Sequence, residues 1–183
     1  AYDSRTGGDL HIIGEVKNDT PGHVELVKVF VTVYNTSSQV IATDYTYIHL
    51  DSLPPGEKTC FHLWLDPLDW AYYKFEAPTY WADADPLPNL AILNDHGVYD
   101  PGSGAYNLFG EVRNDEGTRV EYVSVVGTLY NASSKTVGCW SDFVSGTHLD
   151  PGQSSSFDIE FGSYGRDYVD VTSHRVQADG LPQ

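Results

Sequence analysis

Gly14-Glu15-Val16-Lys17-Asn18-Asp19 returns later in the chain as Gly110-Glu111-Val112-Arg113-Asn114-Asp115. The same offset of 96 residues (110 − 14 = 157 − 61 = 96) relates Phe61 to Phe157. A constant offset without gaps indicates two copies of one structural unit. The repeat therefore predicts a first domain over residues 1–86 and a second over residues 87–183.

Apolar residues alternate with polar ones in the shared segments, which is typical of strands with one face on a core. Pro55-Gly56 and Pro151-Gly152 supply turn chemistry at equivalent positions. Short strands between such turns predict an all-β fold, with one β-sandwich in each copy. Each sandwich should bury its own set of residues, namely Val27, Val29, Val33, Phe61 and Leu63 in the first copy and Val123, Val125, Leu129, Phe157 and Ile159 in the second.

The 183 residues hold 10 Lys and Arg against 26 Asp and Glu, a formal net charge of −16. This balance argues against nucleic-acid binding, which needs a basic surface, and against anionic membrane surfaces. No apolar run approaches the roughly 20 residues of a membrane-spanning helix, so we expect no membrane insertion within this segment. The chain has no Met and opens Ala1-Tyr2-Asp3, so we expect a mature or excised segment of a longer product.

Leu90-Ala91-Ile92-Leu93 follows a Pro-rich acidic stretch and reads as a strand. Its equivalent at the 96-residue offset would precede residue 1, so the second copy has an opening strand that the first lacks here. Either the chain was cut from a longer one, or the first domain closes its sheet differently. A further alternative is strand exchange, in which residues 90–93 complete the first domain's sheet.

The two cysteines are not repeat-equivalent, because Cys60 matches Ser156 and Cys139 matches Thr43. Alternation places Cys60 on the outward face of its strand and Cys139 on the inward face, and they lie in different domains. We therefore predict two unpaired thiols, with an interdomain disulfide as the alternative.

The units resemble the FxLYD domain, a module of bacterial and archaeal secreted or surface proteins. The resemblance rests on the shared Gly-Glu-Val-[Lys/Arg]-Asn stretch, on the strands ending Tyr34-Asn35 and Tyr130-Asn131, and on the Pro-Gly turn with its following Phe. Both copies depart from the name motif, since Asn35 and Asn131 stand where the Asp would be. The resemblance implies immunoglobulin-like β-sandwiches outside the cytoplasm and no reaction.

Aromatic residues mark a candidate binding surface of the first copy, because the equivalent stretch of the second lacks most of them. If Phe61, Leu63 and Leu65 face the core, Trp64 faces outward, where Glu160 stands in the second copy. We expect this surface either to contact the other domain or a neighbouring molecule, or to form an open platform for sugar rings or a partner protein. The predicted surface residues are Trp64, Trp70, Tyr72, Tyr73 and Trp81.

No catalytic motif is found, so we expect no catalytic residue and no cofactor. Glu15 and Glu111 are repeat-equivalent, so each should support its own scaffold. Acidic loops such as the one holding Asp95 and Asp100 lack the spacing of a calcium loop, so we expect no metal site and assign their carboxylates to solvent.

The leading hypothesis is a non-catalytic extracytoplasmic surface or interaction module, with an unknown protein or glycan at the cell surface as its partner. The alternative is a carbohydrate-binding module that uses the aromatics of the first repeat. A small hydrolase without a recognisable motif is the third.

Overall fold

The computed structural model describes residues 2–3, 8–66, 69–162 and 166–183. Every regular element in these ranges is a β-strand, and no helix in them is long and apolar enough to cross a membrane. The first eight strands are β1 (Tyr2–Asp3), β2 (Leu10–Lys17), β3 (Val24–Tyr34), β4 (Val40–Tyr47), β5 (Ser52–Leu53), β6 (Lys58–Leu65), β7 (Tyr72–Phe75) and β8 (Thr79–Ala82). The remaining seven are β9 (Leu90–Tyr99), β10 (Tyr106–Asn114), β11 (Val120–Asn131), β12 (Thr136–Phe143), β13 (His148–Leu149), β14 (Ser154–Phe161) and β15 (Val171–Pro182).

Four sheets pack against one another, and the prediction of an all-β sandwich fold is confirmed. One sheet has the order β1-β2-β6, and it faces a sheet in which β3 pairs with β4, β5, β7 and β8. Later in the chain, β9-β10-β14 faces a sheet in which β11 pairs with β12, β13 and β15. All pairings are antiparallel.

The strand register follows the offset of the sequence repeat. Gly14 pairs with Phe61 and Gly110 pairs with Phe157. A Cβ atom at Gly14 would lie 2.7 Å from Cζ of Phe61, and one at Gly110 would lie 2.6 Å from Cζ of Phe157. Each glycine of the shared motif therefore makes room for the ring opposite it.

The asparagine of the shared motif ties a loop to its sandwich. Asn18 is buried, and its side-chain nitrogen donates to the carbonyls of Gly22 and Leu53, each at 2.8 Å. Asn114 donates in the same way to Thr118 and Leu149, at 2.9 and 2.8 Å. These bonds give each buried side-chain amide the hydrogen-bond partners that a buried polar group needs.

The two predicted core sets are confirmed. All five residues predicted for the first copy lie in one buried cluster, and all five predicted for the second lie in another. Val126 and Cys139 join the cluster of the first copy although they belong to the second repeat by sequence. The domain boundary between residues 86 and 87 stays a prediction.

Residues 90–93 lie in β9, which pairs with β10 of the second repeat, so strand exchange does not occur. Among the described residues of the first repeat, β1 pairs along the equivalent edge of β2 at Leu10 and His11. The last strand of the first repeat is broken into β7 and β8, and Pro78, which has no N–H for a ladder, lies between them.

The prediction of unpaired cysteines is wrong. Cys60 and Cys139 form a disulfide, with their Cα atoms 5.7 Å apart. Cys60 does point away from the first core, but the second repeat covers that face and leaves Cys60 0% exposed. In β12, Thr136 pairs with Tyr130 and Gly138 with Leu129, so Val137 is an extra residue. This bulge inverts the alternation and turns Cys139 toward the first repeat.

Candidate functional site

Trp64 lies on the outer face of β6 and is 55% exposed, so its predicted outward direction is confirmed. Its ring stacks on His11 of the paired strand, with centroids 5.8 Å apart and planes 13° apart. Trp64 also borders an open groove of about 330 Å³ that holds the carboxylates of Asp44 and Asp66. The site therefore combines an exposed indole with two hydrogen-bond acceptors.

The other four predicted residues do not share the sheet of Trp64. Trp70 and Tyr73 pack against the first core, with ring centroids 6.3 Å apart. Tyr72 stacks on Tyr34 at 4.8 Å in the opposite sheet, and Trp81 on β8 is 65% exposed. The structure thus places Trp64 in one sheet, Tyr72, Tyr73 and Trp81 in the opposite sheet and Trp70 in the connection between them, and a binding role for the set stays a prediction.

A second aromatic surface was not predicted from the sequence. Lys28, Phe30, Tyr45 and Tyr47 lie together on the outer face of β3 and β4, and we call them the Lys28 face. Nζ of Lys28 stands 4.2 Å from the ring centroid of Tyr45, 5.1 Å from that of Tyr47 and 5.7 Å from that of Phe30. A hydrogen bond with Tyr47 raises the pKa of Lys28. The sequence signal was the alternation of Tyr45 and Tyr47 in β4.

The outer face of β2 and β6 forms a junction with the second repeat. Glu15 accepts hydrogen bonds from Tyr130 at 2.7 Å and from Thr136 at 3.1 Å, and Lys58 pairs with it at 2.9 Å. Burial and the bond to Glu15 raise the pKa of the Tyr130 hydroxyl. Glu15 therefore supports its own repeat through Lys58 and also contacts the second repeat, whereas its equivalent Glu111 is exposed.

Further polar contacts surround the disulfide of the junction. Arg175 donates to the carbonyl of Lys58 at 2.9 Å and pairs with Glu57. The backbone N–H of Asp51 donates to Asp179, whose burial raises the pKa of its carboxyl group. A covalent bond and charged hydrogen bonds thus join the two repeats.

Three histidines of the first repeat lie at the same junction. Nε2 of His62 is 2.9 Å from Nδ1 of His11, and Nδ1 of His49 is 2.8 Å from the Ser141 hydroxyl. Burial, with smaller contributions from His11 and His49, lowers the pKa of His62 to about 4. Burial also lowers the pKa values of His11 and His49. The cluster is therefore held in its neutral form at pH 7.

The acidic residues Asp95 and Asp100 make structural contacts within the second repeat. Asp100 accepts bonds from the Gly102 N–H and the Ser103 hydroxyl, which lower the pKa of Asp100. The loop predicted at Asp95 is wrong, because Asp95 lies within β9, and its carboxylate is 3.0 Å from Nε2 of His174 in β15. Within the described ranges, no group of three or more His, Cys, Asp or Glu residues is arranged to hold a metal ion.

No protein-family model and no curated protein matches the chain. Among solved structures, the chain is similar to the crystal structure of red sea bream transglutaminase, with 12% sequence identity and a TM-score of 0.31. The match covers 100% of this chain and 28% of the transglutaminase chain, so the chain spans less than a third of that protein. A likeness of this size assigns no function.

Proposed function

We propose that this chain is a non-catalytic interaction module outside the cytoplasm, related to the FxLYD domains that its repeats resemble. The extracytoplasmic location is supported by the Cys60–Cys139 disulfide, because disulfides persist chiefly in oxidising compartments. The junction between the two repeats holds them in one relative orientation. A module that presents a binding surface to a partner needs such a rigid support.

The assignment of the Lys28 face as the partner-binding surface rests on a comparison of the two repeats. The residues equivalent to the Lys28 face at the 96-residue offset are Ser124, Val126, Ser141 and Phe143. In the second repeat part of this face docks onto the first, where Val126 is 0% exposed and Ser141 contacts His49, whereas Phe143 stays 63% exposed. In the first repeat Tyr45 and Tyr47 remain 48% and 43% exposed. A face that is partly a protein contact in one copy is thus an open aromatic surface in the other, and we infer that its partner is a protein.

A photo-crosslinking residue at position 45 tests this assignment in the native host. We expect one crosslinked partner that is lost in Lys28→Glu, since reversal of the charge disrupts the cationic aromatic face. The matched control carries the crosslinker at Glu160, on the exposed outer face of β14. Direct binding of the purified partner, weakened at least tenfold by Lys28→Glu, supports the proposal. Equal crosslinking from both positions contradicts it.

Carbohydrate binding at Trp64 is the second candidate, favoured by the exposed indole beside Asp44 and Asp66. Sugar rings stack on aromatic faces, and carboxylates accept bonds from sugar hydroxyls. A glycan array with wild type and Trp64→Ala tests it, with Tyr122→Ala as the control because Tyr122 is 65% exposed in the second repeat. Glycan binding that survives Trp64→Ala counts against this candidate.

A further inference from the structure

Three stretches of the sequence fit the Asn-x-Ser/Thr pattern that accepts N-linked sugars. They are Asn18-Asp19-Thr20, Asn35-Thr36-Ser37 and Asn131-Ala132-Ser133. The second and third stand 96 positions apart (131 − 35 = 96), so both repeats carry the pattern at one equivalent position. The first has no counterpart, because the equivalent stretch, Asn114-Asp115-Glu116, ends in Glu. The structure separates the three patterns by the surroundings of their asparagines.

Asn18 is a structural residue whose amide nitrogen is already engaged. It is 3% exposed, and its Nδ2 donates to the carbonyls of Gly22 and Leu53, each at 2.8 Å. A sugar bonded to that nitrogen would remove at least one of these donors and force a bulky group into a packed loop. Asn114 makes two equivalent bonds outside any acceptor pattern, so packing alone accounts for an asparagine at this position.

Asn35 and Asn131 lie instead at the tips of two equivalent hairpins. The first hairpin joins β3 to β4, and the second joins β11 to β12. Both asparagines are partly exposed, and the loop residues 36–39 and 132–135 that follow them are exposed. A bulky group at either tip therefore meets solvent rather than a core.

Both asparagines hold their turns through the side-chain oxygen. Oδ1 accepts hydrogen bonds from the backbone N–H groups two and four positions later, at 3.0 and 3.0 Å for Asn35 and at 3.1 and 3.0 Å for Asn131. An Asp would hold the same turn, because its carboxylate oxygen accepts the same bonds. The serine two positions later contributes its backbone N–H, which any residue except Pro supplies. The turn therefore requires neither the amide nitrogen nor the serine hydroxyl, yet both hairpins have both groups.

We propose that Asn35 and Asn131 are N-glycosylation sites, and that the donor is an oligosaccharide joined through phosphate to a polyprenol lipid. In this transfer Nδ2 forms a bond to the anomeric carbon C1 of the first sugar. The bond between C1 and the phosphate oxygen breaks, and the lipid phosphate leaves with its electron pair. One proton of the amide passes to a base of the transferase, so the product is a neutral N-linked glycan.

The inference rests on the extracytoplasmic location in the proposed function, because N-linked sugars belong to secreted proteins. It goes beyond that function, because the hairpin tips are a different part of the surface from the Lys28 face. The glycans would add bulk and solubility at one equivalent position of each repeat.

Mass spectrometry of peptides from the full chain, purified from its native host, tests the proposal. We expect the peptides with Asn35 and Asn131 to carry the added mass of a set of sugar residues. The peptide with Asn18 should carry none, and it is the internal control because it has the same sequence pattern in a buried place.

Substitutions in the two hairpins separate the acceptor chemistry from the fold. Ser37→Ala and Ser133→Ala should each remove the glycan of their own hairpin alone, because the pattern loses its hydroxyl while the backbone N–H that holds the turn remains. Ser37→Thr should keep the glycan, since Thr also fits the pattern. Asn35→Asp should remove it and leave urea unfolding unchanged, since the acceptor oxygen of the turn is kept.

The location is measured separately, by cell fractionation and by a thiol assay of Cys60 and Cys139. An extracytoplasmic chain with the disulfide formed but with unmodified Asn35 and Asn131 overturns this inference and leaves the proposed location standing. A cytoplasmic chain with free thiols and no glycan overturns both. A glycan on Asn18, or a glycan on Asn35 that persists in Ser37→Ala, also overturns the inference.

Discussion

The carboxylate of Glu15 accepts a hydrogen bond from the hydroxyl of Tyr130, 2.7 Å away and 115 positions along the chain. The equivalent residues make no such pair: Glu111 is exposed, and Tyr34 stacks on Tyr72. Equivalent residues of the two repeats thus have different roles, because the outer face of β2 and β6 in the first repeat contacts a different, non-equivalent face of the second repeat. The inner face of β2 packs on the core of the first repeat, and its outer face contacts the second repeat at the junction.

Glu15→Gln should lower the free energy of unfolding by about 1.5 kcal/mol, because hydrogen bonds to a charged acceptor contribute more than neutral ones. The side chain of Glu15 is only 16% exposed, so solvent screens the loss little. Urea unfolding measures the change. Glu111→Gln is the matched control and should stay within about 0.5 kcal/mol of wild type. Equal losses in both variants would contradict a role specific to the junction.

Removal of the disulfide should cost about 4 kcal/mol, since Cys60 and Cys139 are separated by 79 positions and a cross-link across a long loop restricts the unfolded chain strongly. The test compares denaturant unfolding of wild type with that of a Cys60→Ala, Cys139→Ala double variant. Reduced wild type should lose a similar amount. A double variant as stable as oxidised wild type would refute this expectation.

The chain should lose stability as pH falls from about 6.5 to about 4. In the unfolded chain His62 binds a proton with a pKa near 6.5, whereas in the folded chain its pKa is about 4. The unfolded state therefore binds more protons in this window, and linkage lowers the free energy of unfolding by about 2 kcal/mol near pH 4.5. His11 and His49 act in the same direction, because burial lowers their pKa values as well.

His62→Gln should remove much of this pH dependence. The measurement is urea unfolding at a series of pH values, and His148→Gln, a substitution at the surface, should keep the wild-type slope. A His62→Gln chain with the full wild-type slope would show that His62 does not carry the effect.

Gly14→Ala should destabilise the chain by about 1–3 kcal/mol, because overpacking a closed core forces side chains and backbone to shift. The added Cβ would meet the ring of Phe61, which is 2% exposed. Gly22→Ala is the control, since a Cβ at Gly22 has no neighbour within 4 Å among the described residues. Thermal unfolding compares the two variants. Similar melting temperatures would mean that Phe61 moves freely.

The residues of both cores could be predicted from the sequence, because apolar and polar residues alternate along each strand and the apolar ones mark its buried face. Phe61, Leu63 and Leu65 alternate with His62 and Trp64, and their burial follows that parity. The order and spacing of the strands followed from the repeat and its turns. These properties are local, and local backbone geometry determines them.

The junction could not be predicted, because alternation says which way a side chain points and not what covers it. Cys60 and His62 point outward from their sandwich, as the pattern indicates, but the second repeat buries them. Cys139 faces the junction only because one extra residue, Val137, interrupts the pairing of β12. A bulge is defined by the pairing with the neighbouring strand. The spacing of residues within β12 therefore could not predict it.

The sequence by itself determined the strands, their inner faces and the two cores, since the period of two and the repeat carry that information. Only the tertiary structure decided which outer face of each repeat is covered and how the cysteines pair. Those outcomes depend on contacts between segments far apart in the chain, which no local pattern encodes.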